Sequence, residues 1–406
     1  MPAEIVLVRH AETQANAAGT WQGKGDSPIS PLGQGQIARL ADRLRTEHFD
    51  EIVASDLGRA TTTAAAAPRA PELDSAWREM DIGDWEGLTN AEVEDRFGDE
   101  ITAVRNGEDL RYGGAERFSE FRDRVVAAYD ELAGRLGDGQ RAMVVTHGGV
   151  IYAIASHVLQ ASLRGKAVRV TNTASTTVAV TPWGPQLAVY NDVSHLEGAS
   201  VRAHPRATHL LLVRHGETPA NVEARWQGHS EGPLTTVGRE QAARLAAEFP
   251  EVDAVYSSPL GRAVETASAL ATMGAAAAVV HDDLKEIGFG AWESLTADEI
   301  NAADPEALAR LRDGEDIVRG GTGETFVDVR ERMTAAIEGI AAGHRSGTVA
   351  IFSHGGSLRA FVTGLLGMSF ADRYRLGILA NTGTARVVKT RSGFMLGTWN
   401  LTPHLR

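Results

Sequence analysis

Cysteine is absent from the 406 residues of this chain. Without thiols the protein can form no disulfide, build no thiolate zinc site and use no cysteine nucleophile. Basic residues form no block and the net charge is −13, so binding to a nucleic-acid backbone is not expected. A local cluster of arginine and histidine can still hold a small anion inside an acidic protein.

Long apolar runs are also missing, and no uninterrupted stretch approaches the ~20 residues that cross a bilayer. The N-terminal residues enter a strand-like run without a basic segment or a small-residue cleavage signal. We therefore predict a cytoplasmic protein with no membrane partner. Hydrophobic residues make up 43% of the chain, which is enough for two domains of ordinary size.

One series of short motifs occurs twice in the chain, in the same order. Each series starts with an apolar run that ends in Arg-His-(Ala or Gly)-Glu-Thr, at 5–13 and 210–218. The later motifs are Trp-Gln-Gly at 21–23 and 226–228, Leu-Gly-Arg-Ala at 57–60 and 260–263, a glutamate followed by Ile-Gly and Trp-Glu at 79–86 and 286–293, and His-Gly-Gly at 147–149 and 354–356. A period of about 200 residues is far too long for a solenoid and indicates duplication of a whole domain. The predicted domains are 1–200 and 207–406, joined by a surface linker near 198–207.

Short apolar runs alternate with helical stretches in both halves. The predicted strands are 5–8, 51–54, 143–145, 210–213, 254–256 and 349–352. Leucines and alanines follow helical spacing over 33–46 and 238–249, and 64–67 is predicted as helix ended by Pro68. This alternation predicts a three-layer α/β/α fold with a mostly parallel sheet, duplicated in tandem.

Cationic side chains follow three of the predicted strands in each half. In the first half they are Arg9, His10, Arg59 and His147, and in the second half Arg214, His215, Arg262 and His354. Because ligands bind at the carboxyl ends of strands in open parallel sheets, each set is expected to meet at one rim. Arginine offers a planar fork of donors that matches phosphate oxygens. Each rim is therefore predicted to bind a phosphate group.

These residue types can also transfer a phosphoryl group. A neutral histidine can attack phosphorus while the remaining cations neutralise charge on the transferring group. The leaving alcohol needs a proton, and Glu79 and Glu286 are the repeated candidates. No metal or other cofactor is needed if arginine and histidine carry out that neutralisation, and the acidic pair Asp282-Asp283 is not repeated.

Together, and in this order twice, the motifs resemble the histidine phosphatase superfamily, also called the phosphoglycerate mutase-like family, over essentially both halves. The resemblance implies the phosphoglycerate mutase-like fold and transient phosphorylation of His10 and His215. It implies further roles for the phosphoryl-binding residues Arg9, Arg59, His147, Arg214, Arg262 and His354, for the proton donors Glu79 and Glu286, and for the substrate contacts Asn16, Gln22, Asn221 and Gln227. We expect metal-independent hydrolysis of phosphomonoesters of small metabolites.

The two halves differ outside the phosphate-binding set. The first half has Ala11 where the second has Gly216, and the stretches at 114–117 and 323–325 differ in sequence. Both sites are expected to be competent, with the leaving group left open. The four arginines at 105, 111, 117 and 122 are interpreted as solvated helix charges rather than as contacts to a distal group of the substrate.

Three other functions remain open at this point. A phosphoglycerate mutase would return the phosphoryl group to its substrate, and a regulatory module would bind phosphate with one inactive copy. A phosphatase acting on phosphohistidine or phosphotyrosine in proteins would need a docking element that the sequence does not reveal. The duplication also predicts that the two halves pack against each other as a pseudo-dimer.

Overall fold

A computed structural model describes residues 1–196, 207–248, 252–271 and 277–405. The chain forms two compact units, one of Met1–Val158 with Arg169–Ala199 and one of Leu159–Val168 with Ser200–Arg406. The linker predicted near 198–207 lies outside the described residues except for its last position. Across the described ranges, no helix has the length and apolar character needed to cross a membrane.

The first unit is built from six strands and seven α-helices among its described residues. In chain order these are β1 (Ala3–Arg9), α1 (Gln14–Ala18), α2 (Pro31–Leu44), β2 (Glu51–Ala54), α3 (Gly58–Ala64), β3 (Glu72–Leu73), α4 (Asn90–Arg96), α5 (Gly98–Arg105), α6 (Phe118–Arg135), β4 (Arg141–Thr146), α7 (Gly148–Leu159), β5 (Ser175–Thr181) and β6 (Gly184–Asp192). The predicted strands 5–8, 51–54 and 143–145 are confirmed as β1, β2 and β4.

The strands of the first unit follow the order β3-β2-β4-β1-β5-β6. The four strands from β3 to β1 pair in parallel, and β5 and β6 extend the sheet antiparallel. In register, Arg9 of β1 lies beside Thr146 of β4, so the carboxyl ends of these two strands meet at one edge. The residues that follow them are thereby brought together.

The second unit repeats this plan. Its elements are β7 (Thr208–Arg214), α8 (Pro219–Val222), α9 (Thr236–Glu248), β8 (Ala254–Ser257), α10 (Gly261–Ala271), β9 (Val279–Val280), α11 (Ala297–Ala303), α12 (Pro305–Arg312), α13 (Phe326–Ala342), β10 (Gly347–Ser353), α14 (Gly355–Leu366), β11 (Thr384–Thr390) and β12 (Gly393–Leu401). The strand order β9-β8-β10-β7-β11-β12 matches that of the first unit, with β9 to β7 parallel and β11 and β12 antiparallel. The duplicated, mostly parallel α/β fold is confirmed.

The central strands are buried on both faces because helices cover the sheet from either side. Val6, Val8 and Met143 pack with Leu40 of α2 in one apolar cluster of the first unit. Leu211, Val213 and Phe352 form the matching cluster of the second unit with α9 and α10. This packing fixes the strand ends, and with them the backbone from which the site residues project.

The structure differs from the sequence-based expectation at 64–67. Helix α3 ends at Ala64, and Ala65 to Ala67 continue as tight turns whose N–H groups donate to the carbonyl three residues back. Pro68 comes next, and a proline disfavours helical geometry in the residue before it. The alanine run therefore leaves the helix before the proline is reached.

Candidate functional site

The predicted cations of the first unit lie at one edge of its sheet. His10 follows β1 and His147 follows β4, and the N–H of His10 donates to the carbonyl of Thr146 at 2.8 Å. Arg59 lies in the first turn of α3, after β2. The ring centroids of His10 and His147 are 5.2 Å apart, and those of His215 and His354 are 5.1 Å apart. Both units therefore place two imidazoles side by side at the strand ends.

Hydrogen bonding fixes the tautomer of the first histidine in each unit. Nδ1 of His10 lies 2.8 Å from the carbonyl oxygen of Ala11, and Nδ1 of His215 lies 2.7 Å from that of Gly216. A carbonyl oxygen can only accept, so Nδ1 carries the proton. Nε2 therefore keeps its lone pair in the neutral ring and is the nitrogen available to act as a nucleophile.

Burial keeps these histidines neutral. Loss of hydration, together with the charges of Arg9 and Arg59, lowers the pKa of His10 well below 6.5. Burial followed by Arg59 has the same effect on the pKa of His147. In the second unit, burial and the arginines at 214 and 262 lower the pKa of both histidines in the same way. A neutral imidazole is the form that can attack phosphorus.

Backbone carbonyls hold the two arginines of the first unit. Arg9 donates from Nη1 to the carbonyl of Val170 at 2.6 Å. Arg59 donates from Nη2 to Gly23 at 2.7 Å and from Nη1 to Gly25 at 2.8 Å. Nε of each guanidinium is buried and has no hydrogen-bond partner in the protein. Each guanidinium is thus held by hydrogen bonds from its Nη atoms, while its Nε N–H has no acceptor in the protein.

The second unit holds its arginines in the same manner. Arg214 donates from Nη1 to Leu379 at 2.7 Å, and Arg262 donates to Gly228 and Ser230 at 2.7 and 2.9 Å. Nε of both guanidinium groups is again buried without a partner. Burial lowers the pKa of Arg214 to about 10, so the group stays charged at neutral pH. Each unit therefore keeps two buried cations with unused donors.

A serine holds the second histidine of each unit. Nε2 of His147 lies 2.8 Å from Oγ of Ser55, and Nε2 of His354 lies 2.8 Å from Oγ of Ser258. Nδ1 of both rings is buried and has no partner. Both serines lie two residues before the repeated Leu-Gly-Arg-Ala motif but were not identified as site residues from the sequence.

The predicted proton donors sit at the amino end of the helix that follows the second histidine. Oε2 of Glu79 accepts from the N–H of Gly149 at 2.9 Å, and Oε1 accepts from Met80 at 3.0 Å. Glu286 accepts in the same way from Gly356 and Ile287 at 3.1 and 2.9 Å. Both carboxyl groups are thereby fixed beside the histidine pair.

Glu286 has two further donors that Glu79 lacks. The N–H of Ser357 donates to Oε1 of Glu286 at 2.9 Å. The hydroxyl of Ser357 lies 3.1 Å from the same oxygen and 2.7 Å from the carbonyl of Lys285, and it shares its one proton between them. Val150 occupies the matching position in the first unit and offers no hydroxyl. The two glutamates therefore occupy the same place with different hydrogen-bond partners.

The predicted amide contacts belong to a network around the first histidine. Oδ1 of Asn16 accepts from Nδ2 of Asn172 at 3.1 Å, and Asn172 also donates to the carbonyl of His10 at 2.9 Å. Oε1 of Gln22 accepts from Oγ1 of Thr13 at 3.0 Å. The asparagines therefore join the loop after β1 to the segment before β5.

The second unit contains the same network. Asn381 donates to Asn221 at 2.9 Å and to the carbonyl of His215 at 3.1 Å, and Gln227 accepts from Thr218 at 3.1 Å. Asn172 and Asn381 were missed from the sequence, although both begin an Asn-Thr pair that recurs before the first antiparallel strand. The recurrence of this pair in both halves could have identified both asparagines as candidate site residues.

The arginines interpreted as solvated helix charges are paired on the surface. Arg105 contacts Glu94, Arg111 donates to Glu120 at 2.8 Å, and Arg122 donates to Asp123 at 2.7 Å. Arg117 donates to the carbonyl of Asp109. The structure does not bring them together with the histidine pair.

A cavity of ≈ 290 Å³ opens above the site of the second unit. Its walls include Arg214, His215 and Arg262 of the cationic set and the apolar side chains of Phe289, Leu311 and Phe326. Asn221, Gln227 and Glu286 line it as well. No group of three or more His, Asp or Glu side chains suited to a metal ion occurs within the described ranges. The lining suits a small anionic molecule with a carbon frame.

The family model for the histidine phosphatase superfamily, branch 1, matches residues 5–193 and again 210–402. A bifunctional protein of Mycobacterium tuberculosis is 41% identical over 150 residues, which cover 36% of this chain and 41% of that protein. This chain thus spans about two fifths of the length of that relative and of its mycobacterial counterparts.

Two relatives match over more of their length. A metal-independent phosphoserine phosphatase of Arabidopsis thaliana is 35% identical over 48% of this chain and 83% of that protein. A probable phosphoglycerate mutase of an Enterobacter species is 32% identical over 49% of this chain and 97% of that protein. Each match spans about half of this chain, as expected for a duplicated domain.

Proposed function

The chain belongs to the histidine phosphatase superfamily, and on that premise we propose that it hydrolyses phosphomonoesters of small metabolites at two sites. Each site works through a phosphohistidine, at His10 in the domain proposed at 1–200 and at His215 in the domain proposed at 207–406. The reaction needs no metal ion, a property that the plant relative's name also states for that protein.

One observation carries the proposal. The same three buried nitrogens lack a hydrogen-bond partner in both units: Nε of the two arginines and Nδ1 of the second histidine. Buried donors without partners are costly, so a group that supplies acceptors is favoured there. A phosphoryl group offers three oxygens to these nitrogens. It would lie beside Nε2 of His10 or His215, the nitrogen that keeps its lone pair.

In the first half of the reaction, Nε2 of His10 attacks phosphorus while the bond from phosphorus to the ester oxygen breaks. Arg9 and Arg59 neutralise charge on the transferring oxygens, and the neutral His147 donates a hydrogen bond to one of them from Nδ1. Glu79 gives a proton to the departing oxygen, so the product leaves as an alcohol. The N–H groups of Met80 and Gly149 then stabilise the carboxylate that remains.

In the second half, water attacks the phosphorus of phosphohistidine and the bond from phosphorus to Nε2 breaks. The carboxylate of Glu79 takes a proton from that water, inorganic phosphate is released and His10 returns to its neutral form. The carbonyl of Ala11 accepts the Nδ1 proton throughout and keeps the ring oriented. His215, Glu286 and Gly216 play the same parts in the second unit.

A mutase is the second candidate, because the Enterobacter relative carries that description. Such an enzyme returns the phosphoryl group to its substrate instead of passing it to water. Each half spans about 200 residues and contains no obvious additional segment to enclose an intermediate, so hydrolysis is favoured. A mutase would depend on added bisphosphorylated primer, whereas a phosphatase would not.

The test is hydrolysis of a phosphomonoester panel in the presence of a metal chelator. Wild type is compared with His10→Ala, His215→Ala, the double variant and the exposed-surface control His48→Ala. We expect the double variant to lose activity by roughly 10³-fold or more, and each single variant to lose the substrates of its own site. Activity that survives in the double variant, or that requires a metal, would refute the proposal.

A further inference from the structure

One guanidinium in the cavity of the second unit has no ion-pair partner among the described residues and no part in the proposed phosphoryl transfer. Arg359 lies in α14 and lines the same cavity as His215 and Glu286. Its side chain is half-buried, and its Nε is buried without a hydrogen-bond partner. The guanidinium carbon lies 5.0 Å from the ring centroid of Tyr374. Over the ranges that the structure describes, no carboxylate forms an ion pair with it.

The other arginines of this cavity that lie outside the phosphate-binding set are occupied. Arg225 pairs with Glu223 and Glu299 at 2.7 and 2.8 Å. Arg319 donates to the carbonyl of Glu324 at 2.8 Å and pairs with an aspartate at 3.4 Å. Arg373 donates to two backbone carbonyls at 2.8 and 2.9 Å and stacks on the ring of Phe370. Arg359 therefore differs in keeping its donors unused.

The charges around Arg359 favour an incoming anion. Burial lowers the pKa of Arg359, and the nearby charges of Arg373 and Arg319 lower it further, while Tyr374 and Glu286 act in the opposite direction. A cation held partly out of water beside two others gains most from a ligand that brings negative charge. Glu286 also interacts electrostatically with Arg214 and Arg262 and favours their charged forms. That carboxyl group is therefore not a dedicated partner of Arg359.

The first unit has a different residue at this position. After His-Gly-Gly, the second unit continues with Ser357, Leu358 and Arg359, whereas the first unit has Tyr152 in place of the arginine. The substitution is specific to the second copy, so the shared phosphoryl transfer does not require Arg359. A residue that differs between two sites with the same phosphate-binding set is suited to choosing the substrate.

We propose that the second unit acts on phosphomonoesters that carry a second anionic group, a carboxylate or a further phosphate, and that Arg359 binds this group. The inference rests on the proposed function, because the phosphoester end must occupy the histidine pair. The apolar walls at Phe289, Leu311 and Phe326 contact the short carbon frame between the two anionic ends. Arg359 is thus a specificity-determining residue, and the chemistry remains with His215.

The test compares substrates that differ in this one group. 3-Phosphoglycerate is compared with glycerol 3-phosphate for a carboxylate, and fructose 1,6-bisphosphate with fructose 6-phosphate for a second phosphate. Activity is measured in full-length His10→Ala protein, where the second site alone turns over. The added changes are Arg359→Tyr, which installs the residue of the first unit, and the conservative Arg359→Lys. Arg345→Ala removes an exposed positive charge that precedes β10, at the opposite end of that strand from the site.

Arg359→Tyr should lower kcat/KM for at least one doubly anionic substrate by about 10- to 100-fold, mainly through KM. It should change kcat/KM of the singly anionic partner by less than about threefold. Arg359→Lys should restore part of the loss, and Arg345→Ala should have no effect. The pair that responds shows whether the second group is a carboxylate or a phosphate. Equal losses for both members of each pair, or no loss at all, would overturn the inference.

Binding separates this inference from the proposed function. The double variant His10→Ala, His215→Ala is titrated with the same four compounds, with and without Arg359→Tyr. Weaker binding of a doubly anionic compound alone supports the inference even if the parent protein hydrolyses nothing, an outcome that would refute only the proposed function. Unchanged discrimination in this titration overturns the inference whatever the turnover.

Discussion

Oγ of Ser55 lies 2.8 Å from Nε2 of His147. The imidazole of His147 is fully buried, and the hydrogen bond to this hydroxyl orients the ring at Nε2. Ser258 holds His354 at the same distance in the second unit. With Nε2 occupied, only Nδ1 remains to meet a phosphoryl oxygen. The serine is therefore a positioning residue that acts through the histidine.

Replacing Ser55 by alanine should impair the first site without unfolding the protein. The imidazole loses its orienting bond and leaves Nε2 unpaired, at a cost of roughly 1–3 kcal/mol. In the His215→Ala background we expect kcat on p-nitrophenyl phosphate to fall by about 10-fold, with partial recovery in Ser55→Thr. The same Ser55→Ala change in the His10→Ala background should leave the second site unaffected. A loss there would point to a general structural defect.

Glutamine in place of Glu79 should matter most when the leaving group is poor. An alkoxide needs a proton as it departs, whereas p-nitrophenolate leaves without one. We expect Glu79→Gln in the His215→Ala background to slow alkyl phosphate hydrolysis by about 10²- to 10⁴-fold, with a much smaller effect on p-nitrophenyl phosphate. The ratio of the two rates is the measurement.

Glu86 provides the control for that experiment. Its Oε1 accepts from the N–H groups of Gly23 and Gly25, whose carbonyls hold Arg59. Glu86→Gln should therefore affect both classes of substrate to the same extent. If the rate loss depended on the leaving group in Glu86→Gln but not in Glu79→Gln, Glu86 rather than Glu79 would be the proton donor.

Stability should fall as the pH drops below about 6.5. Burial lowers the pKa of all four site histidines well below that ordinary value. The unfolded chain therefore binds protons that the folded chain does not, so the free energy of unfolding decreases with falling pH. Each histidine contributes up to about 1.4 kcal/mol per pH unit, and above about pH 7.5 the contribution is constant.

Urea unfolding between about pH 7.5 and pH 5.5 measures this slope. His147→Gln removes one of the four groups and should make the slope shallower for the first unit. His48 is 86% exposed, so His48→Gln should leave the slope unchanged. Equal slopes in wild type and His147→Gln would show that the buried histidine does not govern acid stability.

The sequence was sufficient to predict the parallel strands and the rim. Arg9, His10 and His147 directly end or follow apolar runs, and parallel strands place their carboxyl ends at one edge. Local pattern could not show the long-range contacts that complete the site. Asn172 is 162 residues from His10 in the sequence, and its hydrogen bond to the carbonyl of His10 depends on how the segment before β5 folds back.

Arg359 illustrates a second limit. In the sequence it is an ordinary arginine in a helix, of the kind that usually has a carboxylate partner nearby. Its neighbours in space come from other segments of the chain, and they include Tyr374 and the residues that line the cavity, such as His215 and Glu286. Whether a cation is paired is a property of tertiary packing, so the sequence alone does not distinguish Arg359 from the paired arginines around it.

The first two turns of α7 and α14 begin with the same Gly-Gly pair and then differ, with Val150 and Tyr152 in one unit and Ser357 and Arg359 in the other. The histidine that precedes each helix and the arginines that face it are the same. For protein engineering, position 359 and its counterpart 152 allow selectivity to be redesigned separately from turnover, whereas position 357 also changes the hydrogen bonds of Glu286. Because one chain contains both versions, each unit provides a natural template for grafting into the other.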